Sequence, residues 1–476
     1  MNVRSETASV PTALHLFPMA ISGPEQIDRA LGVLWDGAQR SSSFGRVLSE
    51  CWEEYLVNQH KPLTLVLLAS CPEGLRREVH VCRQTWSQNW TDGRDWKSPA
   101  GSYLAVRPLG AVGKVAFVYP GIGSLYPGYS RDLLTCFPQA LDDLPAVSRD
   151  ELIAMLHREH LWPSNDDPHN TTSSIFSDDW PLYRDIVAQA EATVSLAYVW
   201  TQLLQRVFGL RPEMALGYSL GEVAMFAACG CWQKPQELSA RFRTWPSFSK
   251  RLSGDMTILH DSPATKNMSA HEWLSCVVPM TGGNLSSALP TPNSRVFVTH
   301  VNTSREVVVA GASRDVNEWL SHQGLRGQPL PSRLIYHCET LAPEAAMLET
   351  LFELPVSPRP EIDFVAMPPF SRVPHSSKSL ARVLVNTALQ TVDWPQIVET
   401  AYGRGARVFV EVGPRNSCSS WIQSILDGQA HATASTDRKG FDVVTSLSRM
   451  LAILLSHRVP LSTSSVCNWS QQLINS

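Results

Sequence analysis

Gly217-Tyr218-Ser219-Leu220-Gly221-Glu222 holds the pattern Gly-x-Ser-x-Gly, which makes Ser219 the leading candidate for a nucleophile. A serine hydroxyl is too weakly acidic at neutral pH to attack unaided. It needs a base, and donors for the charge that develops on the attacked oxygen. A sharp strand-to-helix turn helps with the second need. It lifts the hydroxyl clear of the backbone at a helix N-terminus, where N–H groups lack intrahelical acceptors. Glycine on either side keeps Cβ atoms out of such a turn. The chemistry would be nucleophilic attack with formation of an acyl-serine. The competing reading is an ordinary glycine-rich strand-to-helix turn.

The base must come from among 14 histidines. His337 follows the apolar run Leu334-Ile335-Tyr336 and precedes Cys338-Glu339-Thr340 and a helical segment from about Pro343. At the end of a strand it would face the serine turn across a cleft. A surface or core-satisfied histidine is the alternative, and the local pattern leaves both open.

The elements that must position these groups follow from apolar patterning. Met214-Ala215-Leu216 reads as a strand and Val223–Ala228 as the helix after the turn. Lys114–Tyr119 reads as a strand ending in Pro120-Gly121-Ile122-Gly123-Ser124, and Arg407–Val412 as another, stopped by Gly413-Pro414. Helices are predicted over 181–207 and an exposed loop over 163–180. This alternation predicts an α/β parallel sheet with helices on both faces. Texture changes at 254–330, where 256–259, 273–278, 295–299 and 306–310 are strand candidates and 316–322 is helical. That suits a small inserted α+β subdomain. The predicted organisation is therefore a loose leader over 1–15, a small α/β unit over 16–110, and a core over 111–253 and 331–428. The subdomain over 254–330 interrupts the core, and an extension covers 429–476.

Bulk properties narrow the function classes. The chain has 476 residues, 43% hydrophobic and 18% charged, with net charge −4. That balance gives no reason to expect nucleic-acid binding. No apolar run approaches the ~20 residues of a membrane helix, and Met1–Glu6 lacks the apolar core of a signal peptide. Ten cysteines scattered over so long a chain do not form a disulfide framework. Cys229 and Cys231 are spaced for packing. His157 and His160 lie in His-Arg-Glu-His, which reads as a solvated helix face with no supporting ligand cluster. A cytoplasmic, reduced protein without a metal is expected.

Five segments in order carry a family resemblance over roughly 16–428. They are Phe117–Ser124, Gly217–Glu222, Val301–Gly311, Tyr336-His337-Cys338 and Phe409–Pro414. They resemble the "FPGQGSQ", "GHSLGE", "VNSPxxVVxxG", "FHS" and "FxExGP" segments of the malonyl/acyl-CoA:acyl-carrier-protein acyltransferases of fatty-acid and polyketide synthases. A narrower resemblance, to the acyltransferase subunit of bacterial polyunsaturated fatty acid synthases, rests on three features. These are Gly217-Tyr218-Ser219, the run Glu411–Ser419, and a tail including Asp437-Arg438-Lys439-Gly440 and Ser456–Pro460. Residues 16–110 resemble the linker that precedes the acyltransferase in such synthases. No ketosynthase precedes it here, so one piece of a larger polypeptide or a shortened subunit is expected.

The resemblance implies an α/β-hydrolase-like core with an inserted ferredoxin-like subdomain. It implies a Ser219–His337 dyad with no bound cofactor. Ser219 would take the acyl group from acyl-CoA and pass it to the phosphopantetheine thiol of an acyl carrier protein, with other synthase subunits as partners. Backbone N–H groups of Ile122 and Leu220 would form the oxyanion hole, Ile122 standing where the family usually has glutamine. Tyr218 replaces a histidine, and Glu191 a glutamine. Malonyl-specific members carry an arginine 25 residues after the serine; here that residue is Thr244, flanked by Arg241 and Arg243. Tyr218, Glu191, Thr244, Arg243 and Asn302 are thus the expected pocket residues, and an uncharged acyl group is expected over malonyl. Arg241, Arg243, Lys250 and Arg251 are candidates for a basic carrier-docking surface. The rival readings are a serine thioesterase or hydrolase, whose acid would be Asp255, Asp261 or Asp315, and an inactive docking module.

Overall fold

The computed structural model describes residues 13–40, 43–142, 144, 146–162, 180–261, 265–266, 268–280, 295–331, 333–367 and 376–473. The chain forms two compact units. One comprises Met1–Gly113, Leu204–Arg211 and Ala434–Ser476, the other Lys114–Leu203 and Pro212–Thr433.

The second unit carries the Ser219 turn. Its sheet has the order Asp363–Val365, Met214–Gly217, Lys114–Tyr119, Ala406–Glu411. These four strands pair in parallel. Their residues are apolar on both faces, as a strand covered on both sides requires. Ala116, Val118, Met214, Leu216 and Val365 pack with Trp394, Ile397 and Val398 of the helix Trp394–Gly403. From the other face Phe364 meets Phe226, on the helix that follows the serine turn, with ring centroids 5.4 Å apart. The register sets Tyr119 beside Gly217, so the Pro120–Ser124 turn and the serine turn leave the sheet side by side.

A second sheet is built on the hairpin Val296–Thr303 and Glu306–Ala312, with Trp273–Pro279 antiparallel to the latter. Val316 and Leu320 of the helix Ser313–Gln323 cover it, packed with Cys276, Val278, Val307 and Val309. Val392-Asp393 pairs in parallel with His300-Val301, so this sheet is continued by a segment well beyond 330. One expected strand is absent: Thr257–Asp261 is a 3-10 helix. Gly254 and Met256 both take positive φ (57° and 48°), which breaks an extended run, and Ile258 and Leu259 are buried by the turn. Apart from Trp180, the loop expected over 163–180 lies outside the described residues.

The first unit has an antiparallel sheet in the order His15–Ile21, Leu63–Ala69, Tyr103–Leu104, Trp96–Lys97. Of the leader expected over 1–15, residues 1–12 lie outside the described residues, and His15 already opens the first strand. The helix Val443–Ser456 packs on Leu63–Ala69, and Ser456 donates to the Thr64 carbonyl at 2.7 Å. Residues 434–473, within the extension expected over 429–476, thus belong to this unit. No described helix is long and apolar enough to cross a membrane. None of the ten cysteines is in a disulfide, and Cys229 and Cys231 are buried.

Candidate active site

The serine turn is tight enough that its glycines are obligatory. A Cβ on Gly221 would lie 2.0 Å from the Tyr119 carbonyl oxygen, and one on Gly217 would lie 2.3 Å from the Glu222 nitrogen. Between them Ser219 takes φ 59°, a left-handed conformation that non-glycine residues rarely adopt. Strain of this kind persists where the surroundings over-determine it, often at functional sites.

Ser219 Oγ lies 2.6 Å from His337 Nε2, across 118 residues of sequence. His337 Nδ1 lies 2.6 Å from the Thr387 carbonyl oxygen, and His337 N donates to the Ala388 carbonyl at 2.7 Å. A carbonyl can only accept, so the ring proton sits on Nδ1 and Nε2 is left to take the Ser219 proton. Burial pushes the His337 pKa down to about 4, against the Thr387 and Gln390 carbonyls that favour the charged ring. The imidazole is therefore neutral at pH 7, the form a general base requires. The position that an acid would occupy in a hydrolase triad is taken by the Thr387 carbonyl. Asp261, one of the acids considered, is paired with Arg251.

Ile122 opens a 3-10 turn and Leu220 caps the helix Gly221–Ala228. The N–H groups of both donate to nothing among the described residues. A Cβ on Gly121 would lie 3.0 Å from the Tyr218 carbonyl oxygen and 3.4 Å from Ser219 Cβ, so the two turns abut. Both residues line the space beside Ser219. This arrangement can hold a developing oxyanion.

The expected pocket residues divide into two groups. Tyr218 and Asn302 line the cleft with Ser219: the Tyr218 hydroxyl donates to Asn302 Oδ1 at 2.6 Å, and Asn302 Nδ2 donates to Glu306 at 2.8 Å. Glu191, Arg243 and Thr244 do not line it. Glu191 is buried and accepts from Arg243 Nε at 2.8 Å, from Ser239, and lies 2.6 Å from His157 Nε2. Desolvation raises its pKa, but the bonds from His157, Arg243 and Ser239 outweigh this and hold it below the usual carboxylate range. Thr244 is exposed, and its hydroxyl donates back to the Ala240 carbonyl at 2.9 Å. The reason is helical: Phe242 points into the core, and two residues on the side chain has turned through about 200°.

Two further expectations are corrected. His157 is not on a solvated face but bound to buried Glu191, with Arg243 Nη2 3.2 Å from the same ring nitrogen. Among the described residues, His157, Glu159 and His160 do bring possible ligand atoms within 4.8 Å of one another. The proposed basic surface is largely committed. Arg241 donates to the Thr350, Leu351 and Glu353 carbonyls, Arg243 to Glu191, and Arg251 to Asp261 and Glu344, leaving Lys250 exposed.

Several site residues carry no signal in the sequence. His300, half-buried, has its ring 4.6 Å from that of His337 and 5.3 Å from that of Tyr218. Burial, and then His337, hold its pKa well below the ordinary value. Glu222 is fully buried and accepts from Met367 N at 2.8 Å and from the Thr387 hydroxyl. Burial raises its pKa to about 7 against those two bonds. Only its place in the Gly217–Glu222 run could have drawn attention to it.

Beside Ser219 lies an apolar pocket of about 50 Å³, bounded by Ile186, Val187, Phe242, Phe248, Phe352 and Leu384 among others. A wider cleft of about 280 Å³ opens on the other side of Ser219 and His337, toward Thr299, His300 and Asn302. Among the described residues, no lysine or arginine lines either space.

No protein-family model matches the chain. A subunit of the polyunsaturated fatty acid synthase of Thraustochytrium is 24% identical over 413 residues, 83% of this chain and 20% of that protein. The non-reducing polyketide synthase aptA of Emericella nidulans is 23% identical over 369 residues, 75% of this chain and 18% of that protein. The chain thus spans about a fifth of each. Among solved structures, the acyltransferase domain from module 8 of the salinomycin polyketide synthase superposes with TM-score 0.70 at 18% identity, covering 95% of this chain and 98% of that one. A malonyl-transacylase solved in complex with its type II acyl-carrier protein gives 0.53 at 18% identity, covering 71% of this chain and 99% of that one. This chain has the fold of the polyketide-synthase acyltransferase domains and of the malonyl transacylases.

Proposed function

We propose that the protein is an acyltransferase that moves an uncharged acyl group from acyl-CoA to the phosphopantetheine thiol of an acyl carrier protein. The observation that carries this reading is the Ser219 Oγ to His337 Nε2 hydrogen bond of 2.6 Å at the mouth of an apolar pocket.

Ser219 Oγ attacks the thioester carbonyl carbon while its proton passes to His337 Nε2. The oxyanion rests on the Ile122 and Leu220 N–H groups. As the carbonyl re-forms, the C–S bond breaks and the CoA sulfur takes the proton from His337. The acyl-serine is then attacked by the carrier thiol. Its proton goes to His337, a new C–S bond forms, and the C–Oγ bond breaks as Ser219 recovers the proton. The Thr387 carbonyl steadies the imidazolium that exists between these transfers. The acyl group would enter the apolar pocket, where no described residue supplies a cation to pair with a carboxylate. An unpaired buried charge is strongly disfavoured, so a malonyl group would fit poorly.

A carrier-protein acceptor and a role in polyunsaturated fatty acid or polyketide synthesis draw support from the relatives named above. The test is intact-mass spectrometry after exposure to acetyl-, butanoyl-, dodecanoyl- and malonyl-CoA, followed by addition of a phosphopantetheinylated carrier protein. An acyl mass on Ser219 that moves to the carrier is expected. An acyl mass discharged only to water, with none on the carrier, would replace transferase with thioesterase.

A further inference from the structure

A cavity of about 270 Å³ lies directly behind the apolar pocket of Ser219. The two spaces share three lining residues, Ala190, Val223 and Phe242, so a single layer of side chains separates them. The rear cavity is walled by Leu152, Met155, Val194, Trp232 and Leu238, from the helices Ala146–Ala154, Ile186–Gln202 and Gln236–Thr244 and the segments after them. Apolar side chains make up most of its surface; Glu151, Gln233, Gln236, Ser148 and Ser195 also line it, and the Glu191 carboxylate at its edge is already occupied by Arg243, His157 and Ser239. Of the shared wall, Ala190 is small and Val223 is fixed by its helix. Phe242 is the one aromatic ring in it, and it sits against Phe248 and Phe352 with centroids 4.5 Å and 6.0 Å away.

We propose that this rear cavity is the tail chamber for a medium or long unbranched acyl chain esterified to Ser219, with Phe242 as the gate. The proposal rests on the acyl-Ser219 reading above and adds the class of acyl group. The front pocket, at about 50 Å³, holds only a short acyl group. A longer chain must continue somewhere apolar, since every methylene kept out of water favours binding. The cavity across Phe242 adjoins that pocket, and its mostly apolar wall suits an alkyl chain. The larger cleft on the other side presents His300, Asn302, Glu306 and Ser275, groups that can hydrogen-bond the amides of a pantetheine arm.

The test uses a medium-chain acyl-CoA carrying a terminal diazirine. After acylation of the full chain and illumination, cross-linked peptides are mapped by mass spectrometry. Cross-links within 190–198 and 227–238 are expected. Cross-links to Ser275, Val277 or Leu330 instead would place the tail in the polar cleft and overturn the chamber while leaving acyl-Ser219 intact. No adduct with any acyl-CoA would overturn both. In parallel, Val194→Trp fills the chamber, and the ratio of dodecanoyl to butanoyl acylation should fall at least about tenfold. A ratio equal to that of the unsubstituted protein, with the circular-dichroism melt preserved, would also overturn the proposal.

Discussion

The Thr387 carbonyl oxygen lies 2.6 Å from His337 Nδ1, and the hydroxyl of the same threonine donates to the buried carboxyl of Glu222. Glu222 also accepts from Met367 N, so it ties the helix after the serine turn to the segment that orients the histidine. Glu222 touches no reacting atom and is a positioning residue. Glu222→Ala should slow Ser219 acylation by about ten- to a hundredfold through a misplaced imidazole. Glu222→Gln should recover part of this, because its amide oxygen still accepts one of the two bonds. Equal loss in both variants would indicate that the charge, rather than positioning, matters.

His337 acts when deprotonated, and its pKa is held down to about 4. Acylation should therefore rise with pH through about 4. An ordinary histidine would give a midpoint near ~6.5. Stopped-flow acylation against pH separates the two; a midpoint near the ordinary value would contradict the burial of the ring. His337→Ala should slow acylation by at least ~10²-fold.

Gly221 has no room for a side chain, since a Cβ would lie 2.0 Å from the Tyr119 carbonyl oxygen. Gly221→Ala should destabilise the second unit by about 3 kcal/mol, the upper end of what overpacking costs. Urea denaturation measures this. A shift below about 1 kcal/mol would mean the turn relaxes more readily than its backbone contacts indicate.

Malonyl-CoA should acylate Ser219 at least about tenfold less efficiently than butanoyl-CoA, judged by kcat/KM, because among the described residues no cation lines the pocket. Thr244→Arg should leave that ratio unchanged, since Thr244 is exposed and faces away from Ser219. A shift toward malonyl in the variant would return residue 244 to the pocket.

The sequence by itself marked the serine turn and much of the frame. Gly217 and Gly221 mark the serine turn because only glycine fits between the crossing backbones, and that constraint is local. The apolar runs at 114–119, 214–217 and 406–411 are legible as buried parallel strands because both faces are covered. What the tertiary structure alone decided depends on rotation and on distant partners. Counting 25 residues from Ser219 reaches Thr244, but the helix turns about 100° per residue and delivers Phe242 to the pocket instead. Glu191 and Arg243 are 52 residues apart, and nothing local foretells that they neutralise each other outside the Ser219 pocket. His300, Glu222 and Thr387 join the site only because separate segments converge on one imidazole, a relation that no spacing along the chain encodes.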